Sequence, residues 1–301
     1  MRHLALVGCT ASGKSSLAMA AARALGDVEI VTVDSMQVYR GMDIGTAKPS
    51  RSDRIEVPHH LLDLADPAED WDLATWCVAA DDAIASVERR GHRALLVGGT
   101  GMYFQALVDG WKPPGRYPEV AAELAAESDT VGLHRRLAAL DPVAASRMEP
   151  ANRRRVLRAL EVTVASGRPF STFGPGVAAF TQTAWRLAGI WLPRPVVAAR
   201  IAARFEAMLG AGLVEEIRVL GAHPGGLSRT ARQALGYREL LQHLEEGAPL
   251  EAMVEEAVRR TRAFARRQRV WWRRDPRIAW YGAAENPFAV LPALLGDWRR
   301  P

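Results

Sequence analysis

The stretch GCTASGKSS, residues 8–16, constrains this chain more than any other part of its sequence. The apolar run HLALV precedes it and LAMAAARAL follows it, which predicts a buried strand, a glycine-rich turn and a helix. In that context Gly8, Gly13, Lys14 and Ser15 match the phosphate-loop pattern G-x-x-x-x-G-K-[ST]. Glycines let the backbone wrap an anion, amides at the helix start point towards it, and the lysine neutralises its charge. A phosphate-bearing ligand is therefore predicted, and a chance match in a glycine-rich turn is the alternative.

Every residue of this loop except Cys9 is a candidate phosphate ligand, mainly through backbone amides. The candidates are Gly8, Thr10, Ala11, Ser12, Gly13, Lys14, Ser15 and Ser16. The Ser15 hydroxyl could also hold a magnesium ion. The side chains of Cys9, Thr10 and Ser12 are more typical of loop structure than of chemistry.

Lysine is rare in this chain, so its positions carry information. Of 39 lysines and arginines, only Lys14, Lys48 and Lys112 are lysines. A compact ammonium fits beneath a phosphate where a planar guanidinium fits poorly, which accounts for Lys14. Lys48, in GTAKP, is a weaker functional candidate on the same argument.

Strand and helix signals alternate in the first third of the chain. The runs EIVTVD, ending at Asp34, and ALLVGG, before Thr100, predict strands, with helices expected at VYRGM and GMYFQALV. This alternation predicts an α/β fold with a P-loop NTPase-like parallel sheet core flanked by helices. Such sheets carry their sites at the carboxyl ends of the strands.

The pattern changes in the middle of the chain. Alanine-rich helical stretches follow one another until WRLAGIWL, at 185–192, which predicts a further strand. We therefore predict a first part of the core over residues 1–112, an all-helical insertion over 113–184, and a second part of the core with C-terminal helices over 185–301.

Composition narrows the class of protein. The chain has 301 residues, 49% of them apolar, which is enough for a large core. Its two cysteines, Cys9 and Cys77, exclude a disulfide framework and a four-cysteine zinc site, and they predict a cytoplasmic protein. No run approaches the ~18 apolar residues that span a bilayer, so no membrane association is expected. A formal charge of +5 gives modest support for a polyanionic partner.

Two absences bear on the reaction. A nucleotide hydrolase normally carries a further acid at the end of another core strand, but ALLVGGTGMY has none. A guanine-reading N-K-x-D segment is also missing, which disfavours a GTPase switch. The strand-end acid is Asp34, in VDSMQVY, and it could serve an acceptor instead of a metal.

Six stretches, in order, resemble the tRNA dimethylallyltransferase family, and together they extend over most of the chain. They are GCTASGKSS, VDSMQVYRGMDIGTAKP, VPHHLLD, LLVGGTGMYFQAL, ALGYRE and TRAFARRQRVWWRR. Individually only the phosphate loop is a strong signal, whereas the ordered set is very specific.

The resemblance implies a reaction. The loop would bind dimethylallyl diphosphate, and the allyl group would pass to the 6-amino nitrogen of the adenine next to the anticodon. Lys14, a magnesium ion on Ser15 and the loop amides would stabilise charge on the departing diphosphate. Asp34 would accept the proton of the amine, which is a weak nucleophile. Thr100 would orient the acceptor or the diphosphate.

The family's acceptor-binding segment corresponds to Asp34, Ser35, Met36 and Gln37, with Thr100 beside it. Each assignment has a structural alternative. Asp34 and Thr100 could merely cap the helices that follow them, and Ser35 and Gln37 could be ordinary polar loop residues. His59 and His60 are interpreted as structural residues and not as metal ligands, because no acidic cluster is near them in sequence.

The RNA would be held by arginines and aromatic residues. In the insertion the resemblance assigns tRNA contact to Asn152, Arg155 and Arg158. The sequence departs from the family there, because Ala151-Asn152 replaces Asn-Asp and Ala121 replaces an arginine that often follows P-E-V. We therefore expect some RNA contacts to be redistributed.

Two later stretches are further RNA candidates. The first is ALGYRE with the residue before it, where Tyr237 would stack on a base and Arg238 would supply charge, beside Gln233 and Gly236. The second is the basic helix with Arg266 and Arg267, in which Trp271 and Trp272 are interleaved. A merely solvated basic face is the alternative for that helix. The other tryptophans considered, Trp71, Trp76, Trp185 and Trp191, are expected in the core.

Three other functions stay open at this point: adenylate isopentenyltransferase on a free nucleotide, small-molecule kinase, and noncatalytic RNA-binding switch. The arginine-rich helices disfavour the first, because so small an acceptor does not need them. Consumption of ATP would identify the second. Loss of prenylation with nearly intact RNA affinity in Asp34→Asn would argue against the third, whereas an active variant would remove Asp34 from the mechanism. The expected partners are a tRNA anticodon stem-loop and dimethylallyl diphosphate, bound by a monomer.

Overall fold

The computed structural model describes residues 2–300 and contains one six-stranded sheet. All neighbouring strands are parallel, in the order β3-β2-β4-β1-β5-β6. The strands are β1 Leu4–Val7, β2 Val28–Val33, β3 His59–His60, β4 Arg93–Gly98, β5 Arg186–Trp191 and β6 Ala279–Gly282. The predicted α/β fold with a parallel sheet is confirmed.

Helices cover both faces of the sheet. Within residues 2–300 they are α1 Lys14–Leu25, α2 Arg51–Glu56, α3 Leu73–Arg89, α4 Gly101–Val108, α5 Pro118–Ala126, α6 Thr130–Leu140, α7 Pro142–Ser146, α8 Arg153–Ser166, α9 Arg194–Gly210, α10 Leu213–Gly221, α11 Tyr237–Glu246, α12 Leu250–Trp272 and α13 Leu291–Arg299. No helix among these residues combines the length and the hydropathy needed to cross a membrane.

The central strand β1 explains why LALV is apolar throughout. It pairs with β4 on one side and β5 on the other, so that Leu4 lies opposite both Leu95 and Arg186. All four residues of β1 are buried. Leu4 packs in the cluster on one face of the sheet and Ala5 in the cluster on the other. A parallel strand covered on both faces has no polar face to present.

The stretch between β4 and β5 contains only helical elements, as expected for the predicted insertion. Helices α5, α6, α7 and α8 bury an apolar cluster of their own, in which Leu124, Leu137 and Leu160 take part. The boundaries at residues 113 and 184 stay a prediction.

Several expected elements were wrong or missed. The helix expected at VYRGM does not form, because Gly41 has a φ of 75° and the next helix begins only after Ser50, which caps it. Strands β3 and β6 were not predicted. The chain after β5 forms two consecutive helices, α9 and α10, separated by Gly212 with a φ of 98°.

Glu29 is a buried carboxylate at the end of β2 that lies away from the phosphate loop. Three basic side chains surround it. Glu29 accepts hydrogen bonds from Arg90, through Nε at 2.8 Å and Nη2 at 2.6 Å, and contacts His60 at 2.7 Å and His92 at 2.9 Å. Its side chain is 2% exposed. The Arg90 hydrogen bonds, followed by those of the histidines, lower the pKa of Glu29 to about 2.

We predict that Glu29→Gln lowers the free energy of unfolding by about 2 kcal/mol at pH 7, because charged hydrogen bonds are lost in a buried place. A depressed carboxyl pKa stabilises the fold above the unfolded pKa, and the stabilisation disappears as pH falls from about 5 to about 2. Urea unfolding at pH 7 and pH 3 measures both effects. Glu215→Gln, in an exposed pair with Arg218, is the control and should change little. An equal loss at both pH values would contradict the assignment.

Candidate active site

Three neighbouring strands end at the same edge of the sheet and deliver the predicted residues there. The phosphate loop follows β1, Asp34 follows β2 and Thr100 comes two residues after β4. The backbone N–H of Ser35 donates to Thr100 Oγ1 at 3.4 Å, which joins the last two strand ends. The structure therefore brings together the residues predicted for the acceptor and those predicted for the phosphate.

The loop has the backbone shape of an anion cradle. Ala11 and Gly13 have positive φ angles, 61° and 84°, and Lys14 is the first residue of α1. Turns of this kind aim successive N–H groups into one concavity, and the positive end of the helix adds to the attraction. Lys14 has no hydrogen-bond partner among the described residues, and the Ser15 and Ser16 residues are exposed. The backbone shape favours a phosphate loop over a chance match, and phosphate binding by these residues stays a prediction.

Two arginines from α9 contact the cradle. Arg204 Nη2 donates to Thr10 Oγ1 at 2.7 Å, and Arg200 Nε donates to the Ala11 carbonyl at 2.9 Å. Sequence reasoning missed both residues. Their spacing of four on one helix, directly after a strand that borders β1, is the signal that could have found them.

Gln268 of α12 forms hydrogen bonds both to the cradle and to the turn that follows β4. Its Oε1 accepts from the Thr10 N–H at 2.8 Å, and its Nε2 donates to the Gly99 carbonyl at 2.9 Å. A Cβ atom at Gly99 would lie 2.4 Å from this Nε2, and one at Gly101 would lie 2.2 Å from Trp271. The glycines in VGGTGM therefore let α12 approach. Gln268 was also missed, although an amide within an arginine run was a visible signal.

Asp34 uses only one of its oxygens in the fold. Oδ1 accepts from the N–H groups of Met36 at 2.9 Å and Gln37 at 3.4 Å, whereas Oδ2 has no partner among residues 2–300. Burial raises the pKa of Asp34, against the opposing effects of the Met36 amide and the Lys14 ammonium. The helix-cap alternative is wrong, because no helix directly follows Asp34; its Oδ1 holds a turn, and Oδ2 stays available.

Charge around Asp34 is balanced by two cations. Burial lowers the pKa of Lys14 and of Arg204, and the carboxylate of Asp34 raises both. Burial is the larger effect on the pKa of each of the three groups, and the attraction between the carboxylate and the cations offsets it only in part.

Thr100 occupies the N-cap position of α4, but its side chain does not cap that helix. Its hydroxyl accepts from Ser35 instead. The alternative of a side-chain cap does not describe this structure.

The segment after Asp34 folds into a closed loop. Gln37 Nε2 donates to the carbonyls of Thr46 at 2.9 Å and Ala47 at 3.4 Å. Lys48 fastens the far end, because its ammonium donates to the Tyr39 carbonyl at 2.8 Å and pairs with Asp43 and Asp63, each at 2.6 Å. With its side chain 1% exposed, Lys48 is a structural residue, and the functional role suggested by the sequence is corrected.

Two of the predicted RNA residues are engaged inside the protein. Tyr237 is 0% exposed, so its ring offers no face to a base, and the predicted stacking role is wrong for this conformation. Arg158 Nη1 pairs with Glu161 at 2.7 Å, and its Nη2 donates to the carbonyls of Pro114 at 2.8 Å and Gly115 at 2.9 Å. That arginine holds the entry of the insertion against α8, which competes with contact to a phosphate.

The other RNA candidates lie where RNA could reach them, with two exceptions. Gly236 is buried, and Asn152 caps α8 by accepting from the Arg155 N–H at 3.4 Å. The exposed candidates are Arg155, Gln233, Arg238, Arg266 and Arg267. On α12, Trp272 is 1% exposed and belongs to the core, whereas Trp271 is half-buried.

The remaining tryptophans and the histidine pair have structural contacts. Trp76 is fully buried, and the half-buried Trp71 and Trp185 pack against the core. Trp191 is half-buried and contacts Trp280 and Arg269. His59 bonds the Val57 carbonyl at 2.7 Å. Within residues 2–300, His, Cys, Asp and Glu side chains form no group of three or more that could hold a metal ion.

The fold and the site together define an α/β protein whose phosphate loop lies at the same sheet edge as a half-buried, partly unpaired carboxylate. A family model described as IPP transferase matches residues 37–275. The chain belongs to this family of prenyltransferases.

Relatives and solved structures agree with that assignment. The chain is 42% identical to a tRNA dimethylallyltransferase of Moorella thermoacetica, over 98% of this chain and 94% of that protein. It is 46% identical to one of Roseiflexus castenholzii, over 91% and 90%. The crystal structure of a tRNA isopentenylpyrophosphate transferase from Bacillus halodurans superposes with a TM-score of 0.72, at 32% identity, over 99% of this chain and 95% of that one.

We predict that Arg204→Ala weakens the binding of inorganic diphosphate about tenfold, because a charged hydrogen-bond donor at the cradle is lost. Isothermal titration calorimetry measures the dissociation constant. The matched control is Arg218→Ala, whose guanidinium pairs with Glu215 on the surface of α10. Similar constants for the two variants would remove Arg204 from the phosphate site.

Proposed function

We propose that this protein transfers a dimethylallyl group from dimethylallyl diphosphate to the 6-amino nitrogen of the adenine next to the anticodon of a tRNA, with release of diphosphate. Relatives named tRNA dimethylallyltransferase support this proposal. The single observation that carries it is the position of Asp34, whose unpaired Oδ2 lies at the same sheet edge as the anion cradle.

The leaving group is stabilised first. As the bond between the allyl carbon and the diphosphate oxygen breaks, negative charge grows on the diphosphate. The loop N–H groups, Lys14 and Arg204 meet that charge without reorganisation, and such preorganised donors contribute several kcal/mol to a reaction of this kind.

A magnesium ion would act in the same step. Ser15, which is exposed at the start of α1, would supply one oxygen ligand through its hydroxyl. Such an ion would neutralise charge on the diphosphate.

The acceptor is activated by Asp34. The lone pair of the adenine amine is delocalised into the ring, so the amine becomes nucleophilic only as its proton leaves. The new carbon–nitrogen bond forms while the proton passes to a carboxylate oxygen of Asp34. A raised pKa makes Asp34 a better base for this step than an ordinary aspartate. Thr100, next to Ser35, would orient the adenine through its hydroxyl.

The RNA would bind across α8, α11 and α12, where the exposed arginine candidates lie. Arg266 and Arg267 of α12, together with Arg274 just after it, line a hollow of about 410 Å³. Val270, which is 65% exposed, and Trp271 supply apolar lining. Apolar and cationic side chains in one hollow suit the bases and phosphates of an RNA loop, and they disfavour a free adenylate as the acceptor. We further propose a cytoplasmic monomer.

We predict that the protein, given an anticodon stem-loop RNA and dimethylallyl diphosphate, adds one five-carbon unit to the RNA and that Asp34→Asn abolishes this addition while RNA affinity stays within about twofold. Mass spectrometry of the RNA and a filter-binding titration measure the two quantities. An unmodified RNA with wild-type protein, or turnover that requires ATP cleavage, would overturn the proposed function.

The pH dependence tests the base directly. Catalysis needs the carboxylate form of Asp34, so kcat/KM should fall as pH decreases through its raised pKa. We expect the midpoint above the ordinary aspartate value of about 3.9. A midpoint at or below that value, in stopped assays over a pH series, would remove Asp34 from this role.

We predict that Arg155→Ala and Arg267→Ala each weaken RNA binding and reduce the slope of log affinity against log salt by about 0.7 to 0.9, the effect of one lost phosphate contact. Filter binding over a salt series measures the slope. Arg259→Ala is the control on α12, because its guanidinium pairs with Glu256. Unchanged slopes would favour the alternative of a solvated basic face.

A further inference from the structure

One carboxylate on α10 receives four hydrogen bonds from distant parts of the chain. Glu216 Oε2 accepts from the N–H groups of Asp43 at 3.0 Å and Ile44 at 2.7 Å. Its Oε1 accepts from the N–H of Gly45 at 3.1 Å and from the hydroxyl of Tyr237 at 2.5 Å. The carboxylate thus binds three successive backbone amides, which fixes the path of the chain at that point.

The ring of Tyr237 packs against Gly45, one of the residues whose amides bind Glu216. A Cβ atom at Gly45 would lie 2.4 Å from the ring, so only glycine permits this packing. Tyr237 is fully buried, and burial together with the Glu216 charge raises its pKa, so the hydroxyl remains a donor. We call Glu216 and Tyr237 the latch.

The latched amides belong to the loop that carries the acceptor residues. Directly after Gly45, the carbonyls of Thr46 and Ala47 receive the side-chain amide of Gln37. The Thr46 hydroxyl donates back to the Met42 carbonyl at 2.6 Å, which makes this end of the loop compact. Gln37 in turn donates its backbone N–H to Asp34 Oδ1. The latch is therefore connected to the Asp34 carboxylate through the backbone that follows Gly45 and the hydrogen bonds of Gln37.

We propose that Glu216 and Tyr237 are positioning residues for the acceptor: they hold residues 43–45, and through them Gln37 and Asp34, in the geometry that receives the adenine. The proposal rests on the proposed function. It assigns no contact with the diphosphate, because the cradle is held separately by Arg204 and Gln268.

Tyr237→Phe removes one hydroxyl and keeps the packing. We expect the KM for the anticodon stem-loop to rise about fivefold to tenfold and kcat to fall, because one donor to a charged group is lost. The dissociation constant for inorganic diphosphate should stay within about twofold. The matched control is Tyr281→Phe, whose hydroxyl donates to Asp297 far from the loop. If Tyr237 were needed only for stability, the substitution would lower Tm, and it would not raise the KM for RNA while leaving the dissociation constant for diphosphate unchanged.

A double-mutant cycle tests the ring contact. Gly45→Ala should raise the KM for the RNA, because its methyl group clashes with the ring of Tyr237. In Tyr237→Leu that clash is smaller, so the added methyl group should raise the KM less. The two changes together are therefore expected to cost less than the sum of their separate effects. Additive effects would contradict the ring contact.

Hydrogen exchange supplies a readout that does not depend on activity. In Tyr237→Phe and in Glu216→Gln, the amides of Asp43, Ile44 and Gly45 should exchange at least about tenfold faster than in the wild type. Unchanged exchange, or a kinetic profile equal to that of Tyr281→Phe, would overturn the latch. Failure of the proposed function is distinguishable, because it appears as wild-type protein that does not prenylate the RNA.

Discussion

The site depends on opposite charges that share a poorly solvated space at the carboxyl edge of the sheet. Burial disfavours the charged forms of Lys14, Arg204 and Asp34, and the attraction between the carboxylate and the two cations opposes that effect. An arriving diphosphate would draw on the same two cations. Because they then screen Asp34 less, the carboxylate would hold a proton more strongly, which is what a base for a weak amine requires.

This charge balance is assembled from both ends of the chain. The loop after β1 supplies Lys14, whereas α9 supplies Arg204 and α12 supplies Gln268. The glycines after β4 allow α12 to lie against that turn. The helical insertion interrupts the chain between these parts without interrupting the sheet, because β5 returns to pair with β1.

Arginine serves two separate purposes in this molecule. Arg158 and Arg204 are engaged with protein atoms and hold segments in place, whereas Arg155 and Arg267 are exposed. The same division applies to ALGYRE, in which Tyr237 faces inward and the adjacent Arg238 faces solvent. Successive residues of a helix point in different directions, so α11 places Tyr237 against Glu216 and Gly45 on one side and exposes Arg238 on the other.

The sequence by itself determined the elements whose physics is local: the phosphate loop, the apolar strands β1, β2 and β4, and the strand-end positions of Asp34 and Thr100. Strand β3, at two residues, is too short to leave a periodic signal, and the helix expected at VYRGM does not form where Gly41 has a φ of 75°. Only the tertiary structure decided the roles of Arg204, Gln268, Glu216 and Tyr237. Arg204 and Gln268 contact Thr10 from 194 and 258 residues away, and Glu216 reaches the acceptor loop from more than 170. Whether a polar side chain faces RNA or another part of the same chain is set by such distant packing, which local patterns do not encode.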